Sequence, residues 1–314
     1  MPKNLISIQD FSKEEILHIL SVAREFEAAR EQDFLRGKVV ACLFFEPSTR
    51  TRLSFEAAVS RLGAQVIGFP DNRNTSQSKG ETLEDTIRII SNYVDLIVMR
   101  HPMAGAADIA ASVAGVPVVN AGDGANQHPT QTLLDLYAIE KTQGTLENLH
   151  INMVGDLRYG RTVHSLSQAM HFFHPTFTFT APEELRMPRK YLDFLDEFGI
   201  PYTQTERLED HLNDCDILYM TRVQGERFPD RDSYEKVKDV YTLSADMLGG
   251  VKPNMRILHP LPRVNEIAYD VDENPHAYYI QQAKNGLYAR EALFCYCLGI
   301  TLDDIQNDPT IIKG

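Results

Sequence analysis

Short apolar runs alternate along the chain with segments whose apolar positions recur at helical spacing, the pattern of a parallel sheet crossed by helices. Two such series follow each other. In the first, strands are expected over residues 39–45, 65–69, 94–99 and 116–120, with helices starting near Thr51, Thr82, Gly105 and Pro129. In the second, strands are expected over 151–154, 176–180, 217–220 and 256–258. The helical pattern from Pro129 to about Lys141 ends at Thr142-Gln143-Gly144-Thr145, and a last periodic segment spans 276–298. The expected fold class is therefore α/β: two doubly wound parallel-sheet domains joined by a long helix, with the C-terminal helix packing back on the first domain. The expected boundaries are 1–141, 142–284 and 285–314.

Composition narrows this further. At 314 residues and 43% hydrophobic, the chain can bury two modest cores. Its 31 Lys and Arg against 44 Asp and Glu give a net charge of -13, which argues against binding nucleic acid or an anionic membrane surface. An anionic substrate would then need local arginine clusters. No apolar run reaches membrane-spanning length, and Met1-Pro2-Lys3-Asn4 does not open a signal peptide, so a cytoplasmic location is expected. Cys42, Cys215, Cys295 and Cys297 are too few and too irregularly spaced for a disulfide framework or a zinc site. No metal and no cofactor is called for.

In open α/β sheets ligands bind beyond the carboxyl ends of the strands, and the polar motifs of this chain follow strands. Ser48-Thr49-Arg50-Thr51 comes after the first strand and opens a helix. Free backbone N–H groups, hydroxyls and a guanidinium make a cradle for phosphate there; the plainer reading is a helix cap with solvated arginines. Arg100 ends another strand, either as a contact to a phosphate or carbonyl oxygen or as a surface residue before Pro102. His128 stands just before the helix that Pro129 starts, with Gln131 in its first turn. The two could share one small polar group such as a carbonyl and its amide nitrogen, although a lone histidine is more often structural. Gly155 to Thr162 nearly spells the phosphate loop of nucleotide hydrolases, but Arg161 replaces its lysine and no strand ends in a suitable magnesium-binding aspartate. Arg161 otherwise suits a carboxylate. Alternation puts Arg222 and Gln224 on one side of a strand exit, where they could hold a carboxylate and a neighbouring polar group, or simply face water. His259-Pro260-Leu261-Pro262 ends the last strand with rigid carbonyls able to accept from an amine; a structural turn, with or without a cis Leu261-Pro262 bond, fits equally. Ser76 and Lys79 read as part of a polar surface loop.

Taken in order, these motifs resemble the aspartate/ornithine carbamoyltransferase family, and specifically its aspartate branch, over nearly the whole chain. The resemblance implies transfer of the carbamoyl group of carbamoyl phosphate to the amine of L-aspartate, a step of pyrimidine biosynthesis. It implies that Ser48, Thr49, Arg50 and Thr51 hold the phosphate, with Ser76 reaching in from an adjacent subunit of a homotrimer, while Arg100, His128 and Gln131 address the carbamoyl group. Lys79 from that subunit, Arg161, Arg222 and Gln224 would hold aspartate, with the carbonyls of Leu261 and Pro262 at its amine. Arg50, Lys79, Arg100 and His128 are the residues it implies for catalysis, and Glu46 would pair with Arg161 or Arg227. The loop before Lys79 is one residue shorter than in some members, which leaves Ser76 the less secure of the pair. Pro260 stands where the ornithine branch carries a cysteine. The rival readings are an ornithine-type enzyme, a nucleotide-binding module built on Gly155 to Thr162, and a non-catalytic relative. Some members bind regulatory chains and are allosteric; the residues leave both open here.

Overall fold

The computed structural model describes residues 3–31, 33–71, 80–124, 126–225, 228, 230–307 and 312–313. They form two compact units, Met1–Tyr137 with Lys284–Gly314, and Ala138–Ala283. The boundaries fall inside two helices.

Unit 1 begins with α1 (Lys13–Ala28) and the short strand β1 (Ala29–Glu31). Its sheet then alternates with helices: β2 (Val39–Phe44), α2 (Thr49–Arg61), β3 (Gln65–Phe69), α3 (Leu83–Ile90), β4 (Leu96–His101), α4 (Ala106–Val113) and β5 (Val118–Asp123). All pairings are parallel, in the order β3-β2-β4-β5. Strands β2 and β4 are central and read as continuous apolar runs because helices cover both faces. Connections leave β2 toward β3 on one side and continue through β4 on the other, so the strand order reverses between β2 and β4. Leu5 extends the sheet beside β5, where its N–H donates to Val118 O and its carbonyl accepts from Asn120 N.

Helix α5 (Pro129–Gln143) starts on Pro129, whose missing N–H is no loss at the first helical position. It stops at Gly144, which takes the positive φ of 73° that closes many helices. Unit 2 follows with β6 (His150–Val154), α6 (Arg161–Met170), β7 (Thr176–Thr180), α7 (Arg189–Glu197), β8 (Tyr202–Thr205), β9 (Ile217–Met220), α8 (Arg231–Glu235) and β10 (Arg256–Leu258). This sheet is also parallel, in the order β10-β9-β6-β7-β8, and reverses between β6 and β9. Its core joins Val154, Leu218, Met220 and Ile257 from the strands with Leu243, Met255 and Ile267 from the loops. Helix α9 (Tyr279–Leu298) closes the unit and from Lys284 onward belongs to unit 1, followed by α10 (Leu302–Gln306) and β11 (Ile312–Lys313), which pairs antiparallel with β1.

The α/β class, the two parallel sheets, the connecting helix and the return of the C-terminal helix agree with the sequence reading. Strand β8 is additional. It is an edge strand with no fully buried position, so its Tyr-Thr-Gln-Thr carries no apolar run to notice. Strands β4 and β5 begin two residues later than expected. Asp95 precedes β4 and brackets Val39, its backbone N–H donating to Val39 O at 2.8 Å and its carboxylate accepting from Val39 N at 2.9 Å. No described helix is long and apolar enough to cross a membrane.

Candidate functional site

In unit 1 the polar residues gather beyond the carboxyl ends of β2 and β4, where the strand order reverses. Ser48 is the N-cap of α2, yet its side chain makes no capping hydrogen bond. The first-turn N–H groups of α2 thus carry no side-chain cap and keep the partial positive charge of a helix start. Thr49, Arg50 and Thr51 form that first turn, with Arg50 exposed. Arg52 points elsewhere and pairs with Glu56 one turn along, at 3.1 Å. Of the two arginines in the motif, Arg50 is the one at the helix start.

Arg100, at the end of β4, is held in place. Its Nε donates to Glu46 Oε1 at 2.8 Å, and its Nη1 lies 3.5 Å from Ala121 O. Glu46 follows β2 and Arg100 ends the neighbouring β4, so parallel pairing brings together residues 54 apart. The sequence reading gave Glu46 other partners, Arg161 or Arg227; the latter lies outside the described residues.

His128 and Gln131 are both buried, at 5% and 9% exposure, at the start of α5. His128 Nδ1 lies 3.4 Å from Thr130 Oγ1, and Gln131 Nε2 donates to Asp135 Oδ1 at 2.9 Å. Asp135 is fully buried one turn into the helix. Just upstream, Asp123 accepts from Asn120 Nδ2, Gly105 N and Gln127 N, which ties the β5 exit to the start of α4. Ser76 and Lys79 lie outside the described residues.

In unit 2 the corresponding place lies beyond β6 and β9. Asp156, directly after β6 and Gly155, is fully buried and organises both sides. Its Oδ1 accepts from Tyr159 N at 2.9 Å and its Oδ2 from Gln224 N at 3.3 Å. Burial pushes its carboxyl up from the ordinary value, while these N–H groups and the nearby Arg222 charge pull it back. Gly155 and Gly160 have local reasons to be glycine. A Cβ on Gly155, at φ +113°, would stand 2.3 Å from Thr221 O, and one on Gly160 would stand 2.3 Å from Asp156 O. Close packing against the β9 exit accounts for Gly155, and the tight turn back onto Asp156 O accounts for Gly160, neither needing a nucleotide.

Arg161 is the first residue of α6 and is 8% exposed. Arg222 and Gln224 follow β9, and Gln224 Nε2 lies 3.4 Å from Tyr159 O. Arg222, Phe228 and Tyr234 help line a hollow of about 550 Å³. Beyond β10, His259 is 2% exposed and holds the next turn by both ring nitrogens. Its Nδ1 accepts from Leu261 N at 2.7 Å, so the ring proton sits on Nε2, which donates to Glu266 Oε1 at 2.6 Å. The Leu261-Pro262 bond is cis and Leu261 has φ +57°. Burial keeps His259 below its ordinary pKa despite the carboxylate beside it. Burial works against ionisation of Glu266, yet the His259 N–H and two backbone donors hold its pKa below the ordinary value. The pair is a neutral imidazole donating to a carboxylate.

Among the described residues, the predicted arginines thus fall near the reversal point of each sheet, Arg50 and Arg100 in unit 1 and Arg161 and Arg222 in unit 2, while His128 and Gln131 follow β5 and Leu261 and Pro262 follow β10. Asp135, Asp156 and Glu266, which orient them, were missed from the sequence. Each offered a signal: an acidic residue inside an apolar stretch, or directly after a buried strand. Among the described residues, no group of three His, Cys, Asp or Glu side chains is arranged to hold a metal.

Comparison with known proteins agrees with this layout. Residues 3–141 match the family model described as the aspartate/ornithine carbamoyltransferase carbamoyl-P binding domain, and residues 147–297 match the Asp/Orn binding domain. An aspartate carbamoyltransferase catalytic subunit from Phocaeicola vulgatus is 64% identical over 307 residues, covering 98% of each chain. One from Chromobacterium violaceum is 55% identical, over 96% of this chain and 99% of its own. The catalytic subunit of M. jannaschii aspartate transcarbamoylase superposes with a TM-score of 0.88 at 47% identity, covering 98% of this chain and 100% of its own. The Trypanosoma cruzi enzyme, solved in complex with carbamoyl phosphate and aspartate, gives 0.89 at 36% identity, with coverage of 96% and 97%.

Proposed function

Since the chain belongs to the aspartate/ornithine carbamoyltransferase family, we propose that it transfers the carbamoyl group of carbamoyl phosphate to L-aspartate, giving N-carbamoyl-L-aspartate and phosphate. In this reading unit 1 takes carbamoyl phosphate and unit 2 takes aspartate. The observation that carries it is the distribution of charge. An overall acidic chain places Arg50 and Arg100 beyond the reversal point of one sheet, and Arg161 and Arg222 beyond that of the other. Two anionic substrates need such an arrangement.

Ser48, Thr49, Arg50 and Thr51 bind the phosphate. Arg100, held by Glu46, and His128 and Gln131, at the start of α5, face the carbamoyl group. Arg161, Arg222 and Gln224 bind the aspartate carboxylates, and the carbonyls of Leu261 and Pro262 accept from its amine. The neutral amine attacks the carbamoyl carbon, a C–N bond forms, and a tetrahedral oxyanion develops. Collapse breaks the bond from that carbon to the bridging oxygen; phosphate leaves with the electron pair and receives the amine proton. No protein nucleophile takes part. Rate comes from holding two anions together and from donors aimed at the oxyanion, with Arg50, Arg100 and His128 in that role.

Ser76 and Lys79 are assigned to the site of an adjacent subunit in a homotrimer. Four buried cysteines, all free thiols in the structure, fit a reducing cytoplasmic setting. Supplying carbamoyl phosphate with aspartate or ornithine separately, and identifying the product, tests the reaction. Carbamoyl-aspartate is expected; carbamoyl-ornithine, or no product with either amine, would overturn the reading. Mixing inactive Arg50→Ala and Lys79→Ala chains tests shared sites. Mixed trimers that recover no activity would refute them.

A further inference from the structure

A guanidinium buried in unit 1 is not used by the chemistry above. Arg290, on α9, is 4% exposed. Its Nη1 donates to Ser54 Oγ at 3.0 Å and to Gly286 O at 2.9 Å. Its guanidinium carbon lies 4.7 Å from the centre of the Phe55 ring. Burial pushes its pKa down to about 10, and the Asp135 carboxylate works against that fall, so the group stays charged at neutral pH.

Burying a charge is costly, and an apolar side chain of similar volume would serve stability as well or better. The contacts of this charge are therefore informative. Ser54 and Phe55 lie on α2 within a turn or so of Thr51, the end of the phosphate turn. Asp135 lies on α5 and accepts from Gln131, one turn from His128. The guanidinium is thus tied by hydrogen bond and ring contact to α2, while Asp135 on α5 acts on it through its charge. Space has been made for it as well. Gly286 sits inside α9, where glycine costs about 1 kcal/mol relative to alanine. A Cβ there would stand 2.3 Å from Arg290 Nη1. About two turns along α2, Arg61 Nε donates to the fully buried Glu291 at 2.6 Å, so α9 holds the same helix at a second point.

We propose that Arg290 is a positioning residue for carbamoyl phosphate: it fixes α2 against α9, so that the Ser48 to Thr51 turn at the start of α2 is held in its binding geometry. The inference rests on the function proposed above, but phosphate affinity reads it without turnover.

The test uses the full chain. Inorganic phosphate is titrated by calorimetry, and kcat and KM are measured for each substrate, in Gly286→Ala, Arg290→Lys and Arg290→Met. Gly286→Ala is the decisive variant, because alanine favours the helix while its methyl displaces the guanidinium. The helix gain of about 1 kcal/mol offsets part of the cost of the displaced hydrogen bonds, so the chain should still fold, with phosphate affinity and kcat/KM for carbamoyl phosphate lowered tenfold or more and KM for aspartate within twofold. Arg290→Met should lose more than a hundredfold, and Arg290→Lys should recover part of that loss through the retained charge. If Arg290→Met does not fold, the other two variants decide. Folded Gly286→Ala and Arg290→Lys chains with wild-type phosphate affinity and carbamoyl phosphate KM would overturn the proposal. A wild-type chain that binds phosphate but forms no carbamoyl-aspartate would overturn the function and leave the phosphate arm to judge Arg290.

Discussion

Replacing Glu266 by Gln isolates the device that holds the turn after β10. The substitution keeps shape and removes one charge, but the geometry gives the amide no satisfactory orientation. Glu266 Oε1 accepts from His259 Nε2 at 2.6 Å, and Oε2 accepts from Val264 N and Asn265 N, each at 3.1 Å. All three are donors. A glutamine oxygen can face one set only, leaving its NH2 against the other. If His259 moves its proton to Nδ1 to relieve the clash, that proton meets Leu261 N, 2.7 Å away. The conflict is relocated, never removed. With His259 at 2% and Glu266 at 5% exposure, water reaches the pair poorly. An unsatisfied buried donor costs about 1–3 kcal/mol, so about 2 kcal/mol is expected. For a domain of this size that is a fall of roughly 4–8 °C in melting temperature.

The functional readout should follow the turn. Leu261 N loses its fixed acceptor, the carbonyls of Leu261 and Pro262 shift, and KM for aspartate should rise about tenfold, equivalent to ~1.4 kcal/mol, with KM for carbamoyl phosphate nearly unchanged. The pH dependence has a definite sign. The folded-state pKa of His259 lies below its ordinary 6.5, so its contribution is complete above 6.5 and is lost as pH falls from there toward the folded value. Glu266, lowered from 4.5, contributes above 4.5 and loses that contribution as pH falls through its folded value. The gap in melting temperature between wild type and variant should therefore be widest near neutrality and close in strong acid. Calorimetric melts at several pH values and aspartate saturation curves check this. A variant that melts with wild type at pH 7 and keeps its aspartate KM would refute the reasoning.

Other expectations follow from the same geometry. His128→Ala should lower turnover by about 10²- to 10³-fold, the usual loss for one oxyanion donor, and weaken carbamoyl phosphate binding far less; steady-state kinetics with unchanged kcat would remove His128 from the site. Asp156→Ala strips the acceptor shared by Tyr159 N and Gln224 N, so KM for aspartate should rise well beyond KM for carbamoyl phosphate, and equal shifts would show that Asp156 does not organise the unit 2 site. Gly155→Ala combines φ +113° with a Cβ 2.3 Å from Thr221 O and should cost more than about 2 kcal/mol. A denaturant melt coincident with wild type would contradict that contact.

Much of the fold was legible because central parallel strands are covered on both faces and announce themselves as apolar runs, as in Val39–Phe44. The edge strand Tyr202–Thr205 was not, since its residues alternate between half-buried and exposed. The candidate site residues were legible for a related reason: they lie at the end of a strand or within about eight residues after one, so chain order places them near a carboxyl end.

Their supporting partners obey a different logic. Glu46 could be matched with Arg100 only once β2 and β4 were known to be neighbours, since 54 residues separate them. Asp135 and Arg290 sit on helices, where a charge within an apolar stretch looks like a misplaced surface residue until the packing partner is known. Yet these supporting acids hold the groups they touch in one geometry. An arginine on a long flexible stem gives little selectivity by itself, because ordering it in the bound geometry consumes much of what its hydrogen bonds supply. Glu46 meets that cost for Arg100 before substrate arrives, as Asp135 does for Gln131 and Asp156 for the backbone of Gln224. The motifs nominate the candidate binding groups, and the acidic residues behind them hold those groups in place. A search for function in this fold should therefore give as much attention to those supporting acids as to the motifs themselves.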